Sequence, residues 1–493
     1  MVKLPEIRRQ EKILSVRVSL IQKNSLRFFA ALLLATGLLQ GCGIAKKYKQ
    51  PDVLPREGAL YRGVTTTDTT TLAAIPWQSF FPDPQLQQLI RRGIDSNLNL
   101  RIAVVRIEAA QATLRQARLA ILPTLSINPE VRRARGSLAQ IRANNPNITL
   151  QPSDYTLYSL LGNASWEVDI WGKLRSARRA ALAALQQSAA YRLAVQTQLI
   201  SDIANSYYAL LAYDDQLRIT QVTIDNRRNF LETVRKLKEA AVLTGADIAQ
   251  SEANLYAAEA TLPQIKQSIR ETENALSILL ALPPDTIYRT TLAQQGMGDS
   301  LFTGVPAQLL AYRPDVLQAE YGLRNAFELT NAARANFYPQ LTLSANGGYA
   351  TANSLTGFFN QTFYGALVAG VAAPILNRGL YRQQYRLAQA QQEEAYLQFR
   401  NVVLNAGREV SDALYSRQMA DEKALARTRQ IESLTRAVDY TKKLLNYTAA
   451  TNYNDVLLAE QNLLSAQLSG VSDTLQHLQA RVDLYRALGG GWR

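Results

Sequence analysis

Hydrophobic and polar positions along this 493-residue chain change period in a fixed order, and the order occurs twice. From Asn97 to about Ile121, apolar residues recur at three- and four-residue spacings and stop before Pro123, which predicts a helix. Alternation then takes over. Tyr158, Leu160, Gly162, Ala164, Trp166 and Val168 interleave with Ser159, Asn163, Ser165 and Glu167, giving a strand with one apolar and one polar face. In the second half Leu341, Leu343, Ala345 and Tyr349 alternate with Thr342, Ser344 and Asn346. The pattern returns from Phe363 to Ala372 with small residues on both faces. Strands are expected at about 124–136, 155–169, 340–351 and 362–373.

Each strand pair is followed by an unusually long helical stretch. Lys173 to Thr244 contains neither proline nor glycine, and Leu380 to Thr448 contains only Gly407. Leu182, Leu185, Ala189, Leu193, Gln196, Ile200, Ile203, Tyr207 and Leu210 keep the spacing of a coiled-coil seam. Helices over 173–244 and 379–448 would be rods on the order of 105 Å at about 1.5 Å per residue. The helices expected after the turns, 246–282 and 453–488, cover about half of such a rod, and Asn97–Ile121 covers roughly 37 Å more. Each half therefore pairs one straight rod with one composite rod, and the apolar stripes call for neighbours on two sides, as in a closed tube.

The two halves match residue by residue. Ala103, Ala110, Ala117, Arg118, Pro123 and Leu125 recur 216 positions later as Ala319, Ala326, Ala333, Arg334, Pro339 and Leu341. Asp247, Ile248, Glu252, Asn254 and Leu255 recur 208 positions later as Asp455, Val456, Glu460, Asn462 and Leu463. Duplication of a domain-sized unit follows, with 97–300 as the first copy and 301–493 as the second, preceded by an extended segment over 42–96.

Composition narrows the chemistry. The formal charge is +14, and residues 1–41 carry seven Lys/Arg against two Glu, so about +9 belongs to the rest. Those cations are scattered, and no zinc-finger, helix-turn-helix or RNP pattern accompanies them, so no nucleic-acid partner is expected. His477 is the single histidine, which leaves histidine-based metal binding and general-base catalysis almost nothing to work with. Gly489-Gly490-Gly491 lacks the Lys-Ser/Thr of a phosphate loop. No enzyme, metal or cofactor is expected. Arg132, Arg133 and Arg135 cluster at the end of the first strand, where a solvated rim and a contact with lipopolysaccharide phosphates are the alternatives.

The single cysteine carries more. Phe28 to Leu39 is a short apolar run behind Lys23 and Arg27, and it ends in Leu39-Gln40-Gly41-Cys42. That is a secretory signal over 1–41 with the small residue that bacterial lipoprotein signals place before cysteine. Cys42 is then the lipid attachment point rather than a disulfide partner. The long basic region before the apolar run implies that translation truly starts downstream of Met1. No other stretch approaches about 18 apolar residues, so a membrane crossing has to use the strands. Four strands cannot close a barrel alone, because an open edge in lipid leaves backbone groups unpaired. Two copies would give eight strands and a filled barrel; three would give twelve and room for a lumen.

The sequence resembles the bacterial outer-membrane factor proteins of the TolC type, in the lipoprotein branch that serves resistance-nodulation-division (RND) efflux pumps. The likeness runs from about Tyr48 to Trp492. It rests on Tyr48/Pro51/Pro55, on Trp77, Phe81, Asp83 and Leu86, and on Trp166-Glu167-Val168-Asp169 with Trp171-Gly172-Lys173. Arg313-Pro314-Asp315 with Ala319-Glu320, and the ending Leu484-Tyr485-Arg486-Ala487-Leu488-Gly489-Gly490-Gly491-Trp492, complete it. The resemblance implies a mainly α fold with a small β part: a homotrimer with a twelve-stranded barrel continued by a twelve-helix periplasmic tunnel. It also implies a periplasmic adaptor (membrane fusion) protein at the far tips, an inner-membrane RND-type pump, and outer-membrane lipid around the strands. The tips fall at Thr244-Gly245-Ala246 and Ala450-Thr451-Asn452. Thr244, Gly245, Asp247, Thr451, Asn452, Tyr453 and Asp455 are the candidate gate and docking residues. Tyr453 matches the family's tyrosine, while Ala449 and Thr451 stand where a glycine and an acid are usual. For the two aspartates, helix capping is the alternative role.

The expected function is a passive efflux channel for drugs, toxic compounds or metals. A conduit for type I protein secretion uses the same architecture, and a non-conducting periplasmic coiled-coil spacer is the alternative of another class. Only the spacer has no use for alternating strands.

Overall fold

The computed structural model describes residues 44–52, 75–135, 154–295, 313–360, 362–447 and 453–492. Cys42, Thr451 and Asn452 lie outside the described residues, as does the expected signal segment. In chain order the elements are α1 (Trp77–Phe80), α2 (Pro84–Ser96), α3 (Leu98–Leu119), β1 (Thr124–Arg135), β2 (Asp154–Val168), α4 (Lys173–Glu239) and α5 (Gly245–Leu279). After a 3-10 turn at Leu292–Gln294 come α6 (Pro314–Ala335), β3 (Gln340–Ala352), β4 (Phe363–Ala372), α7 (Leu380–Tyr447) and α8 (Tyr453–Ala487). The order α3-β1-β2-α4-α5 thus recurs as α6-β3-β4-α7-α8. Among the described residues no helix is long and apolar enough to cross a membrane.

The chain divides into two compact units. One comprises residues 114–181 and 326–392 with 44–49, and the other 50–113, 182–325 and 393–493. The first holds a single antiparallel sheet in the order β1-β2-β3-β4. Leu157 to Val168 of β2 pair with Ala352 to Leu341 of β3, so the joint between the duplicated halves is itself a strand ladder. Gly348 is required there. A Cβ at that position would lie 2.0 Å from the Leu160 carbonyl oxygen, inside any permitted contact. In the same unit Arg179 forks onto Glu328 at 2.8 and 2.9 Å, tying α4 to α6.

The second unit carries the main apolar core. Phe81, Leu86, Ile90, Ile200, Ile203, Tyr207, Leu210 and Leu276 are almost wholly excluded from water. Asp83 organises the polar side of that core. Its carboxylate caps α2 through the Gln85 N–H (2.8 Å) and accepts from the Tyr207 hydroxyl (2.7 Å), Thr290 Oγ1 (2.6 Å) and Gln295 Nε2 (2.8 Å). Burial alone would raise its pKa, yet these donors together hold it below the usual carboxylate value, while burial pushes Tyr207 up to about 12.

Two helix features differ from the sequence reading. The seam of α4 is buried at Gln196, Ile200, Ile203, Tyr207 and Leu210 as expected, but further up the buried positions are Ser176, Ala180, Ala181, Ala183 and Ala190, while Leu182, Leu185 and Leu193 are half-buried and Ala189 is exposed. A straight helix at 3.6 residues per turn drifts away from a strict seam. The second difference is the end of α4. The helix stops at Glu239, five residues before Thr244, where Ala241 takes a left-handed φ of 60°. Val242 N–H reaches back to the Leu237 carbonyl (2.8 Å) and Ala241 N–H to that of Lys238 (2.9 Å), the paired bonds of a Schellman cap. An alanine supplies what glycine usually does, so residue type gave no stop signal.

Gly489 closes α8 by the same pair of bonds, with φ 88°. Gly490 then passes so close to the Tyr485 ring that a Cβ would sit 2.3 Å from it. The glycine triplet is a chain-ending turn packed on a tyrosine.

Candidate functional site

Two regions concentrate the features expected of a conduit: the faces of the sheet and the ends of the helical hairpins. On the sheet, the register with its period of two gives one mainly apolar face and one mixed face, the latter holding Leu157, Leu161, Tyr364 and Val368 beside its polar residues. Leu125, Ile127 and Val131 of β1 share a face with Leu160 and Tyr158 of β2, with Leu341, Leu343 and Tyr349 of β3, and with Phe363, Leu367 and Val371 of β4. The opposite face carries Ser126, Asn128, Glu130, Asn163, Ser165, Thr342, Ser344 and Asn346. At the helix-proximal end, the Trp166 indole N–H donates to the Ile121 carbonyl (2.8 Å), and that of Trp171 to Pro339 (2.6 Å) against the Tyr338 ring. Both tryptophans therefore pack the base of the sheet.

At the first hairpin end, the reversal lies over 240–243, ahead of the expected Thr244-Gly245-Ala246 turn. Thr244 is the N-cap of α5, Gly245 its first residue and Asp247 its N3 residue. One Asp247 carboxylate oxygen accepts from both the Thr244 backbone N–H (2.8 Å) and its hydroxyl (2.7 Å), a capping box. The alternative role named for Asp247, capping, is therefore realised. Among the described residues nothing lies within 4 Å of where a Cβ on Gly245 would sit.

The Thr244 backbone and side-chain bonds hold the Asp247 carboxyl below its ordinary value of 3.8. A carboxylate with a depressed folded pKa contributes stability that is complete above its unfolded value and disappears as pH falls through the folded one. Amide-exchange protection at the start of α5 is accordingly expected to be unchanged between about pH 7 and 5, and to fall only below about 4. Loss of protection already at pH 5 would contradict the cap.

At the second hairpin, α8 begins with Tyr453, buried at 3% exposure and stacked on Phe230 of α4 with centroids 5.9 Å apart. Asp455 is exposed in the first turn. Burial, with the Glu460 and Asp247 charges, raises the Tyr453 pKa. Its hydroxyl has no hydrogen-bond partner among the described residues. Tyr453→Phe is therefore expected to leave thermal stability equal or higher, since it removes an unpaired polar group. Tyr453→Ala should cost about 3 kcal/mol through the cavity it opens. A destabilised Tyr453→Phe would show that the hydroxyl has a partner in the working protein.

Sequence reasoning missed the charges behind the tips. Arg227, 7% exposed, donates to the Asn254 carbonyl (2.6 Å) and to Gln461 Oε1 (2.9 Å), joining α4, α5 and α8. Lys442 bonds Glu460 at 2.6 Å and lies 5.6 Å above the Phe230 ring. In the first hairpin, Arg235 bonds Glu252 at 2.9 Å. The repeated glutamates, Glu252 and Glu460, thus each clamp their helix to a cation on the preceding long helix. The repeat itself was the available signal. Among the described residues no group of His, Cys, Asp and Glu is arranged to hold a metal ion.

An amphipathic four-stranded sheet joined to two very long helical hairpins is the protomer architecture of TolC-like outer-membrane channels. Residues 89–282 and 305–490 match the outer membrane efflux protein family model, one segment in each half, and the chain belongs to that family. It is similar to the pyoverdine export outer membrane protein OpmQ of Pseudomonas putida, 32% identical over 436 residues that span 88% of this chain and 92% of the relative. The open-state MtrE outer membrane channel of Neisseria gonorrhoeae superposes with a TM-score of 0.79 at 27% identity, covering 92% of this chain and 99% of that one. The outer-membrane channel OprN shares the fold, with a TM-score of 0.83 at 22% identity over 92% of this chain and 100% of its own. The protein is an efflux conduit of the outer membrane. A strand-free spacer is set aside by the sheet and by the family, whose members are channel proteins.

Proposed function

We propose that three copies assemble into one passive channel that carries small molecules from a periplasmic adaptor and an inner-membrane RND-type pump to the outside. The observation that carries this reading is the sheet. β1 and β4 each have one strand neighbour among the described residues, so both edges are open. One face is mainly apolar and the other carries nearly all of the uncharged polar side chains, which suits a stave between lipid and an aqueous lumen. Three copies close twelve strands, enough for a lumen, and remove every edge. The channel does no chemistry, so energy and selection come from the pump. Cys42 carries the lipid that anchors the mature chain beside its barrel.

The hairpin ends dock the adaptor and narrow the tunnel. Thr244, Gly245, Thr451 and Asn452 supply the tip surface, Tyr453 packs the closed state, and Asp455 provides the acidic entrance. Asp247 caps α5 and lines the same entrance with Asp455. The pyoverdine exporter among the relatives supports a small-molecule cargo over a secreted protein.

The test is conductance of the purified, cross-linkable trimer in planar bilayers. Wild type is expected to conduct weakly through a narrowed entrance, and Asp455→Ala to raise conductance and alter cation preference. A monodisperse monomer that never conducts would overturn the channel. Unchanged conductance and unchanged drug susceptibility in Asp455→Ala would remove Asp455 from the gate.

A further inference from the structure

The strand register puts Arg133 and Arg135 in a distinctive place. They stand opposite Thr156 and Asp154 of β2, and the period of two from Leu125, Ile127 and Val131 carries both onto the apolar face. Arg132 falls on the other face.

That apolar face is bounded by aromatics at two levels. Trp166 marks the helix-proximal level. Eight residues along β2, Tyr158 marks the other, joined by Tyr349 with Phe359 and Phe363 at ring separations of 5.0 and 5.6 Å. Eight residues span about 27 Å along the strand, or about 21 Å of height at a tilt near 40°, close to the ~25 Å apolar band between the aromatic girdles of outer-membrane barrels. Val131 is the β1 partner of Tyr158. Arg133 and Arg135 therefore lie about 7 and 14 Å beyond the belt along the strand, among lipid headgroups. Because α3 leads into β1 and α4 leaves β2 at the opposite end, this is the outer leaflet.

Among the described residues their charge is only half answered. Arg133 Nη2 and Arg135 Nε approach one carboxylate, that of Asp154, at 3.4 and 3.9 Å, with the arginine side chains 77% and 72% exposed. Among the described residues, two guanidiniums facing one carboxylate leave a net positive charge and further N–H donors, and the arginine fork matches a phosphate.

We propose that Arg133 and Arg135 bind the phosphate of a phosphorylated glycolipid headgroup, lipid A, in the outer leaflet, with Asp154 as an internal competitor. This rests on reading the sheet as a barrel stave, and the test separates the two. The channel is placed in nanodiscs, and retention of diphosphoryl lipid A is compared with that of the dephosphorylated lipid and with inorganic phosphate. R133Q/R135Q is expected to lose roughly fivefold in affinity per arginine for the phosphorylated lipid only. D154N is expected to gain affinity, a sign that a merely structural ion cluster would not give. Conductance of every variant should match wild type; a wild type that does not conduct defeats the stave instead. Undiminished lipid A binding by R133Q/R135Q, equal loss for the dephosphorylated lipid, weakened binding by D154N, or inorganic phosphate binding as tightly as the lipid would each overturn the proposal.

Discussion

Leu367→Arg is expected to remove the protein from the outer membrane and leave cells as drug-susceptible as a deletion strain. Leu367 lies in the middle of β4 opposite Ala345, on the face shared with Leu343 and Val371, and it is 81% exposed in the protomer. In the proposed trimeric barrel that exposure would be to hydrocarbon. An arginine at mid-bilayer on a barrel's lipid face costs about 2–4 kcal/mol, and a trimer incurs the cost three times. The sum is comparable to the whole stability of a typical domain. Ser344→Arg is the control, one register position away and opposite Val368. It points to the lumen, so it should insert normally and shift the reversal potential toward anions. Outer-membrane fractionation and bilayer recordings read both outcomes. If Leu367→Arg inserted and conducted like wild type while Ser344→Arg failed, the two faces would have to be exchanged.

The strands were legible in the sequence because a barrel stave must alternate, and alternation survives where residue identity does not. β4 kept that signal despite its small residues, since Phe363, Leu367 and Val371 stay in phase. The long helices were legible from the missing prolines and glycines. The end of α7 fell within a residue of the expected 448, but the end of α4 was not legible. Ala241 and Ala281 hold left-handed φ values of 60° and 55°, and alanine announces no stop. Asp247 and Asp455 repeat in sequence, yet repetition cannot tell a cap from a gate. Only the Thr244 geometry assigns Asp247 to the cap. Buried pairings between distant positions, such as Arg227 with Gln461 or Asp83 with Thr290, need the fold before they can be seen. Asp83 was marked only through the family likeness; its role as a four-donor hub is a property of packing.

Arg313→Ala is expected to destabilise the helical unit by about 3 kcal/mol, because the arginine joins three chain segments from a buried position. The triplet Arg313-Pro314-Asp315 does start α6, with Pro314 at its first position. Its arginine does more. Nη1 donates to the Ala487 carbonyl at the end of α8 (2.8 Å), Nη2 to Glu409 of α7 (2.8 Å), and Nε with Nη2 forks onto Asp315 at 3.0 and 2.6 Å. Burial disfavours the charged guanidinium, but Asp315 and Glu409 outweigh it and raise its pKa overall, so it stays protonated at every working pH. Removing it leaves the Ala487 carbonyl and the Glu409 carboxylate short of their strongest donor. Breaking a buried pair usually costs 3–5 kcal/mol; the lower end applies because Asp315 and Glu409 side chains remain 40% and 26% exposed to water. Arg313→Lys should fall between, keeping charge but losing the fork. Replacing the more buried partner as well, as in Arg313→Met with Glu409→Leu, should recover part of the loss, since the only carboxylate then left unpaired is Asp315, 40% exposed to water. Denaturant unfolding of the detergent-solubilised protein reads all three. Wild-type stability in Arg313→Ala would show that the cluster is held by the fold rather than holding it.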